Sequence, residues 1–166
     1  MPAEYRFRPL VASDRRLFDR WLAEPHIDGW WGDAATEWAE IERDWAEGNT
    51  GTDMRIVEHR AHPFAYVQDY DVHFYDMPHY AHLKKRARGM DAFLGDPAYL
   101  GRGHGAAFLR ARALQLIAAG APQVAVDPAP DNTRAIAAYL RAGFVGDTIL
   151  HCEDGTPIRL MLLEPA

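Results

Sequence analysis

Leu100-Gly101-Arg102-Gly103-His104-Gly105 is the stretch on which the reading of this chain turns. A strand-like run at 89–95 precedes it, and a long, mostly apolar stretch at 103–120 follows. Glycines at alternate positions let backbone N–H groups converge, and a helix start adds partial positive charge. Such a cradle suits a pyrophosphate, and Arg102 can add a charge-assisted contact. The common nucleotide motifs do not fit. A P-loop needs Gly-Lys-Ser/Thr, and the dinucleotide fingerprint has another spacing and belongs to the first strand-to-helix turn.

Working outward, Tyr5–Pro9 reads as a strand. Ser13 is placed to cap a helix whose Leu17, Phe18, Trp21 and Leu22 share a face, with Pro25 beyond its end. Thr36 is placed to cap a second helix, in which Trp38, Ile41 and Trp45 follow helical spacing. Strand-like runs at 54–58 and 64–71 flank a short turn, and 74–86, rich in His, Tyr and Lys without a period, reads as a loop. The 103–120 helix is apolar except for Arg110 and Arg112, so protein should cover most of its girth. A strand at 124–127 follows, then a helix capped by Asp131 and ended by Gly143. The runs 144–151 and Pro157–Leu163, around Asp154-Gly155, make a closing hairpin. This order predicts an α/β (α+β) fold, a central mixed β-sheet flanked by helices, in a single domain over 1–166.

Composition narrows the function. The 166 residues are 48% apolar and 25% charged, as in an ordinary globular protein. A net charge of −6 offers no basic field for nucleic acid or anionic lipid. No apolar run suits a spanning helix, and the opening MPAEYRFRPL lacks the apolar core of a secretory signal, so a cytoplasmic location is expected. Cys152 is the sole cysteine, which rules out an intrachain disulfide; it reads as a packing residue, not a nucleophile. His73, His79 and His82 lack the spacing of a metal site, so no metal is expected, and His26 reads as structural.

The glycine loop and the segment Asn132-Thr-Arg-Ala-Ile-Ala-Ala-Tyr139-Leu-Arg-Ala-Gly143-Phe144 together resemble the GNAT acetyltransferases. That family holds the pyrophosphate of acetyl-CoA on a Gln/Arg-x-x-Gly-x-Gly/Ala loop at the start of its central helix. Leu100 departs from the usual Gln/Arg, which removes one side-chain contact and leaves the backbone cradle. The resemblance implies the acyl-CoA N-acyltransferase fold, with acetyl-CoA as cosubstrate. It assigns acetyl-CoA binding to Leu94, Gly95, Leu100, Gly101, Arg102, Gly103, His104, Gly105, Ala106 and Asn132.

Four further stretches are similar to the aminoglycoside 6'-N-acetyltransferases and to the siderophore-type lysine acyltransferases of the same subfamily. They are Trp21 to Gly32 (WLAEPHIDGWWG), Tyr66-Val-Gln68-Asp-Tyr70, Gly89-Met-Asp91 and Asp127-Pro-Ala-Pro-Asp-Asn132. The likeness implies Asp91 as general base, Tyr139 near the thioester sulfur, and Trp30, Trp31, Tyr66, Gln68 and Asp127 as substrate contacts. Trp30 and Trp31 are adjacent and point to opposite sides, so only one should face substrate.

The implied reaction is direct attack of a primary amine on acetyl-CoA in a ternary complex, with Asp91 taking the proton. A backbone N–H near Leu94–Gly95 would receive the oxyanion. A phenol at about 10 facing a thiol near 8.5 makes full proton transfer uphill by about 2 kcal/mol, so Tyr139 is expected to hydrogen-bond the departing thiolate. A polycationic amine suits the acidic chain, with Asp28, Asp33, Asp69, Asp71 and Asp76 as further candidate acceptors. The aminoglycoside likeness brings antibiotic resistance as one role, and a chromosomal housekeeping role stays open beside it. One alternative is lysine or hydroxylysine acylation in siderophore assembly, where Lys84, Lys85, Arg86 or Arg88 would meet the substrate carboxylate. Another is a non-catalytic acyl-CoA-binding module. The partner expected is a small-molecule amine, the assembly a monomer or homodimer.

Overall fold

The computed structural model describes residues 4–48 and 51–166. Strand β1 (Tyr5–Pro9) pairs antiparallel with β2 (Thr52–His59), in register from Tyr5↔His59 to Pro9↔Arg55. Only Arg60 and Ala61 separate β2 from β3 (His62–Asp71), and both have positive φ, 51° and 65°. That two-residue turn has the twist antiparallel strands require, here without glycine.

Ser13 lies inside a 3-10 turn, Ala12–Asp14, and does not cap the helix that follows. Asp14 stands at the N-cap of α1 (Arg15–Leu22), its carboxylate turned back to the Arg8 guanidinium at 2.8 and 2.9 Å and to the Val11 N–H at 2.9 Å. Helix α2 (Ala34–Ala46) is capped by Asp33, not Thr36. The Asp33 carboxylate accepts from the Thr36 N–H at 3.0 Å and hydroxyl at 2.8 Å, so Thr36 is the partner of the cap.

The remaining elements are β4 (Arg88–Leu94), α3 (His104–Ala118), β5 (Val124–Val126), α4 (Thr133–Ala142), β6 (Val145–His151) and β7 (Pro157–Leu163). Asn132, not Asp131, caps α4: its side-chain oxygen accepts from the Ala135 N–H at 3.2 Å. Gly143 ends α4 in the left-handed region at φ 104°, and Arg110 donates to the Ala142 carbonyl at 3.0 Å. Helix α3 packs on α4.

The seven strands form one mixed sheet in the order β1-β2-β3-β4-β5-β7-β6. Strand β4 pairs parallel with β5 only at Arg88↔Val124 and Gly89↔Ala125, and continues to Leu94. The β4 edge past Gly89 is therefore not laddered by β5.

Contacts divide the chain into two compact units, Met1–Gln68 with Ala92–Arg102, and Asp69–Asp91 with Gly103–Ala166. The first is built on an aromatic core. Phe18 meets Trp38, Tyr66 and Phe93 edge-on at 5.5, 5.2 and 5.7 Å between ring centroids. The second has its own core of Tyr70, Val72, Tyr80, Leu83, Ala87, Ala125, Ile158 and Leu160. Segment 74–86 is not wholly a surface loop, for a 3-10 turn at Pro78–Tyr80 buries His79 and Tyr80. No helix among the described residues is long and apolar enough to cross a membrane.

Candidate active site

Gly101 and Gly103 take left-handed φ values of 70° and 80°, and Gly103 is the N-cap of α3. A Cβ at either would meet nothing within 4 Å, so backbone conformation, not space, demands glycine. The helical ladder begins where the Ala107 N–H donates to the Gly103 carbonyl at 3.2 Å. By helix geometry the N–H groups of Gly105 and Ala106 lie ahead of that ladder and project from the N-terminus, as an anion site requires. Leu100 and His104 flank the turn half-buried, and Arg102 is exposed. Asn132 uses its side-chain oxygen as the α4 cap, which leaves its amide nitrogen as the group able to donate to a ligand.

The second unit gathers the chemistry. Burial holds the Tyr139 phenol well above its ordinary value, and the charges of Asp91 and then Asp127 push it the same way. Burial likewise leads in raising Tyr70, followed by Asp91 and Asp127, and in raising Tyr80, where Tyr70 and the same carboxylates add to it. The three phenols thus all feel the same two carboxylates. Asp91 and Tyr139, the expected catalytic pair, are among these groups.

Gly89, two residues before Asp91, explains how Tyr70 is seated: a Cβ there would collide with the Tyr70 ring. Tyr70 and Tyr80 influence each other's ionisation, while the Tyr80 hydroxyl, fully buried, makes no hydrogen bond of good geometry. The sequence places Tyr70 in a stretch similar to the cleft strand of the aminoglycoside enzymes but gives it no role of its own, and it gives Tyr80 none. Tyr70 stands two residues after Gln68 on an alternating strand, a usable signal; Tyr80 lies in an aperiodic turn that carries none.

Asp127 follows β5 directly, with about a fifth of its side chain open. Its Oδ2 accepts from His79 Nε2 at 2.9 Å. Asp69, one of the expected substrate acceptors, has another task. It is almost fully buried, with Oδ2 held by Arg112 at 3.0 and 2.8 Å and Oδ1 by Arg88 at 2.7 Å. Arg88, offered as a carboxylate contact under the siderophore alternative, is committed to this ion pair, and Lys84 lies 3.6 Å from Glu164. Asp33 is a helix cap, and Asp71 accepts from the His73 N–H at 2.8 Å. Asp28 and Asp76 are exposed.

In the first unit, Trp31 packs edge-on against Phe93 at 5.0 Å and Tyr66 at 6.1 Å, while Trp30 is 49% exposed. Tyr66 is fully buried, and its hydroxyl donates to Gln68 Oε1 at 2.7 Å. It can reach a ligand only through Gln68, which is half-buried. The Gly95 N–H already donates to the Phe64 carbonyl at 2.8 Å and is not an open oxyanion donor. Glycine is required at 95 for packing, since a Cβ would collide with the Trp21 ring. His26 shares a 2.7 Å hydrogen bond with the Leu94 carbonyl, a structural role.

His73 meets the carbonyls of Leu83 and Lys84 at 2.9 and 3.2 Å. No group of three or more His, Cys, Asp or Glu among the described residues could hold a metal. Cys152 packs against the second core, and burial leads the effects that raise its thiol pKa.

The model of the acetyltransferase (GNAT) domain matches residues 11–151, and the chain belongs to that family of acetyltransferases. It is 26% identical over 163 residues to the aminoglycoside N(6')-acetyltransferase type 1 of Klebsiella pneumoniae, covering 93% of this chain and 80% of that one. Its fold superposes with a TM-score of 0.83 on AAC(6')-Ib solved with paromomycin and acetyl-CoA, at 25% identity over 97% of this chain and 93% of the other. A Bacillus halodurans protein of 18% identity shares the fold at a TM-score of 0.86, over 98% of this chain and 84% of its own.

Proposed function

We propose that this chain is one catalytic domain that moves the acetyl group of acetyl-CoA to a primary amine of a polycationic small molecule of the aminoglycoside kind. The observation that carries this reading is the match of residues 11–151 to an acetyltransferase family, in a chain whose buried Tyr139 feels the charges of both Asp91 and Asp127. The relatives that act on aminoglycosides with acetyl-CoA supply the substrate class.

The turn from Leu100 to Ala106 fits a diphosphate: its glycines adopt the conformations only glycine takes readily, and its N–H groups lead into α3. Asn132 offers its amide nitrogen to the pantetheine arm. Leu94, at the end of β4, is the position assigned to the thioester carbonyl; its own carbonyl is held by His26, so its N–H is the group that would serve.

Asp91 accepts a proton from the substrate ammonium, directly or through a water, because only the free amine is a nucleophile. The C–N bond forms as the C–S bond breaks, and the second proton that the nitrogen sheds on becoming an amide passes, through water, to the departing sulfur, so that CoA is released as the thiol. Tyr139, kept protonated by burial and by its acidic neighbours, donates a hydrogen bond to that sulfur. Asp127 holds an ammonium of the substrate. The likeness to the aminoglycoside enzymes adds Trp30, Trp31, Tyr66 and Gln68 as substrate contacts; of these, the open ring of Trp30 and the half-buried amide of Gln68 are the groups best able to serve.

A panel of kanamycin, tobramycin, spermidine and N6-hydroxylysine, read by release of free CoA, tests the reading. Turnover on the aminoglycosides supports it. Turnover on N6-hydroxylysine alone would move the chain to the siderophore class, and silence on every amine despite tight acetyl-CoA binding would favour a non-catalytic module.

A further inference from the structure

The reaction proposed above makes no use of His79, yet its side chain is 96% buried by accessible surface, 4% remaining open, and is joined to one of those two carboxylates. Its Nε2 lies 2.9 Å from Asp127 Oδ2. A carboxylate can only accept, so the ring proton sits on Nε2, and Nδ1 is left as a buried acceptor with no partner. An imidazole whose one bonded nitrogen points at an acid, and whose other nitrogen is sealed from solvent, is built to hold that acid.

The turn that carries it is held by local contacts. Pro78 fixes the start of the 3-10 turn, the Tyr80 N–H donates to the Met77 carbonyl at 2.9 Å, and the His79 and Tyr80 ring centroids lie 4.2 Å apart. Asp127, by contrast, hangs from the end of a three-residue strand. Without an anchor its carboxylate would rotate about two side-chain torsions, and ordering it would fall to the substrate.

We infer that His79 is a positioning residue for amine capture: by holding Asp127 Oδ2 it fixes the carboxylate so that Oδ1 faces a substrate ammonium. The inference rests on the proposed amine-acetylating function and names a second element of its specificity, one that reaches the site from segment 74–86.

The test compares steady-state constants for kanamycin and for acetyl-CoA in wild type, His79→Gln, His79→Leu, Asp127→Asn and the double variant His79→Leu/Asp127→Asn. His79→Leu is expected to raise the KM for kanamycin about tenfold or more, the effect of losing a charge-assisted hydrogen bond. The KM for acetyl-CoA and kcat should stay within about twofold. His79→Gln, whose amide can donate to the same oxygen, should recover most of the loss. In the Asp127→Asn background, His79→Leu should add less than about twofold, because the two residues act as one unit. Additive penalties, equal losses in both KM values, or an unchanged kanamycin KM in folded His79→Leu would each overturn the inference. If His79→Leu does not fold, His79→Gln with a kanamycin KM raised as far as in Asp127→Asn would overturn it too. Absence of wild-type turnover on any amine would instead fail the parent reading, and the inference with it.

Discussion

Asp69 and Arg112, 43 residues apart, are bound by two hydrogen bonds to one carboxylate oxygen, at 3.0 and 2.8 Å, and both side chains are buried. Arg88 takes the other oxygen at 2.7 Å. The second unit is thus pinned by an ion triad that ties α3 to the strands carrying Tyr70 and Asp91. Removing the acid would take from both guanidinium groups the carboxylate they share. Asp69→Ala should therefore lower unfolding stability by about 3–5 kcal/mol, the cost of breaking a buried pair from one side. Urea denaturation checks this; a loss below about 1 kcal/mol would show that water relieves the arginines.

The glycine turn yields a separate expectation. Gly103→Ala meets no obstructing atom, so only the left-handed backbone is strained, by about 1–2 kcal/mol. If the strain displaces the turn, the KM for acetyl-CoA should rise about five- to thirtyfold while that for the amine changes little. An unchanged acetyl-CoA KM would separate the turn from cofactor recognition.

Gly89→Ala should act differently, through collision with the Tyr70 ring. Overpacking of this kind costs about 1–3 kcal/mol. A fall in kcat beyond what the lost folded fraction explains would place Tyr70 in the working geometry of Asp91. Activity that tracks the folded fraction would confine Tyr70 to packing.

The buried phenols predict a pH response with a definite sign. Tyr70, Tyr80 and Tyr139 all have folded values raised above the unfolded value of about 10, burial being the leading cause in each. Their contribution to stability is whole below about pH 10 and is lost as pH rises from there through the folded values. In alkaline titration followed by phenolate absorbance, these three of the seven tyrosines should stay silent until the fold gives way. Tyr139→Phe should flatten the decline of stability above about pH 10. Ionisation of all tyrosines together near pH 10, in protein that stays folded, would contradict this.

Much of the fold was legible because its elements obey local rules. The alternate glycines of 101–105, the apolar spacing of Phe18, Trp21 and Leu22, and Gly143 at the end of α4 each act within a few residues. The caps were displaced by one to three positions, since Asp33 and Asn132 compete with neighbours of equal chemistry. Long-range pairing was hidden. Asp69 looked like one more acid for a cationic substrate, although Arg112 inside an apolar helix demanded a buried partner. His79 and Tyr80 were hidden inside an aperiodic segment, where no pattern separates a buried turn from a solvated loop. Tyr66 read as a cleft residue because alternation gives the face of a strand and not the depth of cover above it.

The most direct test measures free CoA release from acetyl-CoA and kanamycin, across pH, for wild type and Asp91→Asn side by side. Expected is turnover by the wild type and a loss of about hundredfold or more in the variant, the usual contribution of a general base, with acetyl-CoA binding retained. Equal rates and matching pH profiles in the two proteins would remove Asp91 from the chemistry.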